Sequence, residues 1–210
     1  MSPAQNKKRI AISQRYDQVP GRNEWRDALD AQWAALLESL NFVPVLIPGH
    51  LVDVAGYLAE LNIDGLILSG GNDIGLAPQR DNTEAKALAY ADKFSLPVLG
   101  VCRGMQFLVT REGGLLQPCE GHVACYHALE GAWASEQGIL HVNSYHNLAI
   151  FMNDCPGIFE VLASTSDGVV EALRHQVKNW LGIMWHPERE APFNLSDLNL
   201  IQCHFQNSKD

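Results

Sequence analysis

The sequence predicts an α/β fold: an open, mostly parallel sheet flanked by helices. Short apolar runs bounded by turn residues alternate with stretches at helical spacing, the pattern of parallel strands joined by crossover helices. Two glycine-marked turns, Ser69-Gly70-Gly71 and Gly100-Val101-Cys102-Arg103-Gly104, close successive apolar runs and so mark one end of the sheet. At 210 residues and 47% hydrophobic, the chain is long enough to bury a core without disulfides, and residues 1–210 are read as one domain.

Residues 9–13 form the first strand. Residues 24–40 carry Trp25, Leu29, Trp33, Leu36, Leu37 and Leu40 at helical spacing, and residues 42–47 follow as the second strand. A helix over 51–61 leads to a third strand, 65–68, which runs into the Gly70-Gly71 turn. A helix over 81–94 and a fourth strand, 97–101, end at Cys102, after which residues 104–112 form a helix stopped by Gly113 and Gly114. The second half gives shorter strands near 122–128, 140–143, 159–164, 169–174 and 180–185. A closing helix spans 194–206. No repeat, low-complexity tract or dividing linker is evident.

A net charge of -9, with Lys and Arg scattered singly, provides no basic stripe and argues against nucleic acid as a partner. The polar, basic residues 1–9 precede an apolar stretch too short for a signal sequence or a membrane span, so no membrane partner and a cytoplasmic location are expected. Five cysteines, an odd number spread along the chain, read as reduced thiols. A homodimer is left open.

Cys102 is the candidate nucleophile. It sits where a strand turns sharply into a helix, with glycines two residues to either side that let the two elements approach closely. Unpaired N–H groups at a helix start favour a thiolate. Gly71, ending the neighbouring strand, and Arg103 are the candidate backbone N–H donors to an oxyanion. Of eight histidines, only His186 ends a strongly apolar strand and is followed two residues later by a carboxylate, Glu188. Pro187 between them is expected to hold the chain extended, with both side chains on one side. His186 is then the base and Glu188 its orienter.

These residues, GVCRGMQ over 100–106 and HPE over 186–188, resemble the class I glutamine amidotransferase family over nearly the whole chain. The resemblance implies a flavodoxin-like open sheet with a few extra antiparallel strands, a Cys102-His186-Glu188 triad, a glutamyl-thioester intermediate and no cofactor. It also implies a small-molecule γ-glutamyl amide as substrate, with Gly70, Gln106, Arg103 and Ser144 among the binding residues. Arg103, the run from Arg80 to Glu84, and the VNSxH run from Val142 to His146 narrow it to the γ-glutamyl hydrolase branch, peptidase C26. Within that branch the runs at 68–74, 100–107 and 121–127 are similar to hydrolases of γ-glutamyl-CDP-amidate, which release cytidine diphosphoramidate for capsule biosynthesis. Hydrolysis of γ-glutamyl-γ-aminobutyrate and a glutaminase subunit serving a separate synthase are the alternatives.

Arg80, Asp81 and Glu84 also read as a capped first helical turn with an i, i+4 ion pair. Arg15, Tyr16, Arg103 and His127 are the guesses for contacts to a diphosphate and base, since each could lie near a strand end. Cys119, His122, Cys125 and His127 offer four zinc-type donors within nine positions, but lack two separated ligand pairs. On a strand His122 would face away from Cys125 and His127, so no metal is expected.

Overall fold

The computed structural model describes residues 7–206; most of the basic stretch 1–9 lies outside them. The first half runs β1 (Arg9–Ile12), β2 (Arg15–Gln18), β3 (Trp25–Ala28), α1 (Gln32–Ser39), β4 (Val43–Leu46), α2 (Val54–Glu60), β5 (Gly65–Leu68), α3 (Pro78–Lys93), β6 (Val98–Val101) and α4 (Arg103–Arg111). The second half runs β7 (Gln117–Pro118), β8 (Val123–Ala128), α5 (Ala132–Gln137), β9 (His141–Tyr145), β10 (Leu148–Ala149), β11 (Phe159–Ser164), β12 (Val170–His175), β13 (Trp180–Ile183) and α6 (Leu195–Gln206).

Seven strands form the main sheet in the order β11-β12-β13-β6-β5-β1-β4. The five from β13 to β4 are parallel, whereas β12 and β11 return antiparallel at one edge. Strands β5, β6 and β13 are buried along their whole length because helices cover both faces, so their sequences are continuously apolar and not alternating. Alternate side chains feed two cores. Ile10, Ile12 and Ile67 meet Trp33, Leu36 and Leu37 of α1 and Ile201 and Phe205 of α6. On the other face Ala11, Leu66 and Leu68 meet Leu58 of α2, Ala87 and Leu88 of α3, and Met105 and Leu108 of α4.

Three expectations are corrected. The helix over 24–40 begins only at Gln32, because residues 15–28 fold into the hairpin β2–β3. A turn containing Pro20 and Gly21, with Gly21 at φ +73°, reverses the chain, and Tyr16 stacks on Trp25 with ring centroids 4.8 Å apart. The helix over 81–94 starts earlier, at Pro78, where a missing N–H costs nothing. His122 and His127 do not face opposite ways: β8 carries a bulge at Ala124, φ +54°, which breaks strand alternation between Val123 and Cys125. Helix α5 and the short β7–β10 pair were not anticipated.

Candidate active site

Cys102 is the single residue between β6 and α4, with φ 52° and ψ -109°, a conformation that costs a residue bearing a side chain of order 1–3 kcal/mol. Its N–H donates to the Ile183 carbonyl at 2.7 Å, which holds the turn against β13. Both flanking glycines are needed here. A Cβ on Gly104 would collide with the Leu68 carbonyl of β5, and one on Gly100 would lie 2.7 Å from the Gly104 carbonyl carbon. The sulfur therefore stands at the carboxyl end of the sheet, beside a cavity of about 370 Å³ that Cys102 lines with Gly71, Arg103, Gln106, Tyr145, His146 and His186.

His186 reaches the same cavity from the end of β13, the strand paired with β6. Its Nδ1 donates to Glu188 Oε1 at 2.7 Å. Pro187 does not keep the chain extended: Pro187–Arg189 is one turn of 3-10 helix, which suits the fixed proline φ and brings the two side chains together by curvature. The ring is braced elsewhere too. Asn143 on β9 accepts from the His186 N–H at 2.9 Å and donates through Nδ2 to the His186 carbonyl at 2.9 Å. Gly70 lies against the ring edge, where a Cβ would come within 2.6 Å of Cε1.

Burial opposes charge on this imidazole. Hydrogen bonds with Cys102 and Glu188 outweigh it, and the His186 pKa is pushed up to about 9. At neutral pH the ring is thus a cation beside the sulfur of Cys102, placed to give a proton to a departing group.

The other anticipated residues divide. Gly71, at φ +118°, has space only for hydrogen, since a Cβ would lie 2.7 Å from Arg15 Cδ and 2.9 Å from Arg80 Nη1. Gly71 and Arg103 both line the cavity with Cys102, and the Arg103 N–H, at the first residue of α4, has no intrahelical partner. Gln106 lines the cavity and donates to the Leu148 carbonyl at 2.8 Å. Ser144 does not line it: its hydroxyl is fully buried and donates to the His122 carbonyl at 2.7 Å, leaving its neighbours Tyr145 and His146 on the wall.

The Arg103 guanidinium is also unavailable to a ligand. It is buried against Glu84 and Asp81, while Arg80 pairs with Glu84 at 2.9 Å, as the i, i+4 reading required. Of Arg15, Tyr16, Arg103 and His127, Arg15 and Arg103 line the cavity, and of these two only Arg15 has an exposed side chain, paired with Asp17 at 3.4 Å. Tyr16 is taken up by Trp25, and His127 lines a different cavity with Thr165 and Asp167. Two residues were missed. Asn143 lay within the VNSxH run without an assigned role, and Arg189, directly after HPE, lines the cavity with its guanidinium over the Tyr145 ring at 4.4 Å.

A family model described as glutamine amidotransferase class-I matches residues 33–193. A γ-glutamyl-CDP-amidate hydrolase of Campylobacter jejuni is 31% identical over 194 residues, 88% of this chain and 92% of its own. A glutamine-hydrolysing GMP synthase subunit from Methanothrix thermoacetophila is 33% identical over 61% of this chain and 69% of its own. Among solved structures, a candidate GMP synthase subunit from Thermoplasma acidophilum superposes with a TM-score of 0.73 at 20% identity, covering 96% of this chain and 94% of its own.

Proposed function

The chain belongs to the class I glutamine amidotransferase family, and from that premise we propose that it is a cysteine hydrolase of γ-glutamyl amides with γ-glutamyl-CDP-amidate as substrate. The observation that carries the chemistry is the strained Cys102 elbow sharing one cavity with His186, whose far nitrogen is held by Glu188. Cys102 Sγ attacks the γ-carbonyl carbon. The negative charge that develops on oxygen meets the N–H groups of Gly71 and Arg103, and removal of one such donor commonly costs a hundred- to a thousandfold in rate. As the C–N bond breaks, His186 gives its proton to the leaving nitrogen. It then takes a proton from the water that opens the thioester, releasing glutamate and returning the sulfur and the ring to their starting charge state.

The substrate rests on coverage and charge. The similarity to the Campylobacter hydrolase extends over nearly the full length of both chains, whereas that to the synthase subunit takes in about two thirds of each. Arg15 and Arg189 are the cavity cations positioned to receive anionic groups, with side chains 49% and 36% exposed. They supply locally the positive field that a net charge of -9 denies the molecule as a whole.

The test is glutamate release from γ-glutamyl-CDP-amidate, γ-glutamyl-γ-aminobutyrate and glutamine, with Cys102→Ala as blank. The expected result is a preference of about a hundredfold for the nucleotide, which is roughly 2.7 kcal/mol of transition-state discrimination. Preference for the aminobutyrate conjugate would overturn the substrate, and glutaminase activity dependent on a copurifying synthase would overturn the hydrolase reading.

A further inference from the structure

Next to this cavity, and sharing His146 with its wall, four side chains converge that the hydrolysis does not use. His122 precedes β8, His127 lies on β8, His146 follows β9 and Glu171 lies on β12; one donor atom from each falls within 4.8 Å of every other. The rings of His122 and His127 are 4.2 Å apart, and those of His122 and His146 are 4.9 Å apart. The bulge at Ala124 turns His122 and His127 to the same side.

Most of the polar atoms at the centre have no hydrogen-bond partner among the described residues, the exception being His127 Nε2, which lies 3.7 Å from Cys125 Sγ. His122 Nδ1, His146 Nε2 and both carboxylate oxygens of Glu171 are buried and make no hydrogen bond among the described residues. Glu171 is 0% exposed, His122 2% and His146 4%. A buried carboxylate and two buried imidazole nitrogens left without partners are strongly unfavourable. Glu171 Oε1 stands 3.9 Å from His122 Nδ1 and 3.5 Å from His146 Nε2, too far for hydrogen bonds. Donors at about 2.0–2.2 Å from a tetrahedral ion are separated from each other by roughly 3.3–3.6 Å, close to these spacings.

The outer nitrogens are occupied. His122 Nε2 is bonded to Asp167 Oδ2 at 2.9 Å, and His146 Nδ1 lies 3.1 Å from the Leu148 carbonyl. These are the carboxylate and backbone partners that orient metal-ligating imidazoles and leave the inner nitrogen as donor. A surface cavity lined by Gly121, His122, His127 and Asp167 gives an ion access.

We propose that His122, His127, His146 and Glu171 bind a divalent transition-metal ion of the zinc class, in a site filled by protein donors. Four protein ligands leave no open position, so the ion is structural: it fastens the β8–β9 hairpin to β12 of the main sheet. It thereby steadies the segment from Tyr145 to Leu148 that walls the active-site cavity. The thiols of Cys119 and Cys125 stay outside the ligand set.

The experiment uses the full chain purified without a histidine tag, stripped with chelator, titrated with Zn²⁺ and analysed for bound metal and thermal midpoint. The expected result is about one tightly held zinc per chain and a raised midpoint. In Glu171→Gln and in His127→Ala, whose partly exposed side chain makes misfolding less of a concern, the tightly held zinc should fall at least tenfold. Cys125→Ser should retain it. Failure of the wild-type chain to hold zinc, or equal retention by both ligand variants while they remain folded, overturns the proposal.

Discussion

His186 carries a proton whose hold on the ring depends on its neighbours, and this sets the pH behaviour expected of the site. Its folded pKa, about 9, lies above the ordinary value of 6.5, so the stabilisation it contributes is complete below about 6.5 and is lost as pH rises through about 9. Activity that needs the imidazolium should fall over the same upper range, seen as an alkaline limb in kcat/KM. Glu188→Gln removes one of the contacts that raise the pKa. The limb should then move to lower pH with a loss of roughly ten- to a hundredfold, and an unmoved limb would show that Glu188 does not govern the proton. Cys102→Ala should abolish turnover while the far-ultraviolet circular dichroism is unchanged, and detectable turnover above the blank would remove Cys102 from the mechanism. Asn143→Ala tests positioning. Losing both bonds to the His186 backbone should lower kcat by about tenfold with KM little altered, since Arg15 and Arg189 of the cavity stay in place.

At the level of elements, the elbow depends on how closely α4 packs over β5. Gly104→Ala should cost about 3 kcal/mol or more, because its Cβ must displace the backbone carbonyl of Leu68, whereas Gly113→Ala, which meets nothing within 4 Å at φ +87°, should cost about 1 kcal/mol of left-handed strain. Urea denaturation of the two variants checks the difference, and equal losses would mean that the approach of helix to strand is not tight. The elbow was readable in sequence because it needs glycines at fixed spacing, and β5 and β6 because full burial makes a short strand continuously apolar. Trp25 and Leu29 misled because their spacing continues that of α1, although Pro20 and Gly21 announced the turn that puts Trp25 in a hairpin. The bulge at Ala124 had no such signal: alanine carries no preference for φ +54°, so the meeting of His122 with His127 emerges only in three dimensions. Arg103 shows the same limit. Its neighbour in the elbow suggested a ligand contact, but the buried carboxylate of Glu84, nineteen residues earlier, claims it.

At the level of the whole molecule, a buried acid couples the active-site strand to the last helix. Trp185, next to His186, donates through Nε1 to Asp197 Oδ1 at 2.9 Å, tying the end of β13 to the first turn of α6. Burial pushes the Asp197 pKa up to about 6, and the nearby charges of Glu190 and Glu188 add to it against the lowering effect of the Trp185 bond. The direction is opposite to that of a salt-bridged carboxylate. The folded state holds this proton more tightly than the unfolded chain, so stability falls as pH rises from about 3.8 to about 6, and the cost persists above that range. Asn at this position can still accept the Trp185 N–H but buries no charge. Asp197→Asn should therefore stabilise the protein at pH 8 by about 1–3 kcal/mol, with the gain shrinking toward zero near pH 4. Denaturant unfolding of both chains at several pH values reads this directly. A gain that is independent of pH would place the effect in packing, and a loss at pH 8 would mean that the carboxylate's charge is itself what holds α6 to the sheet.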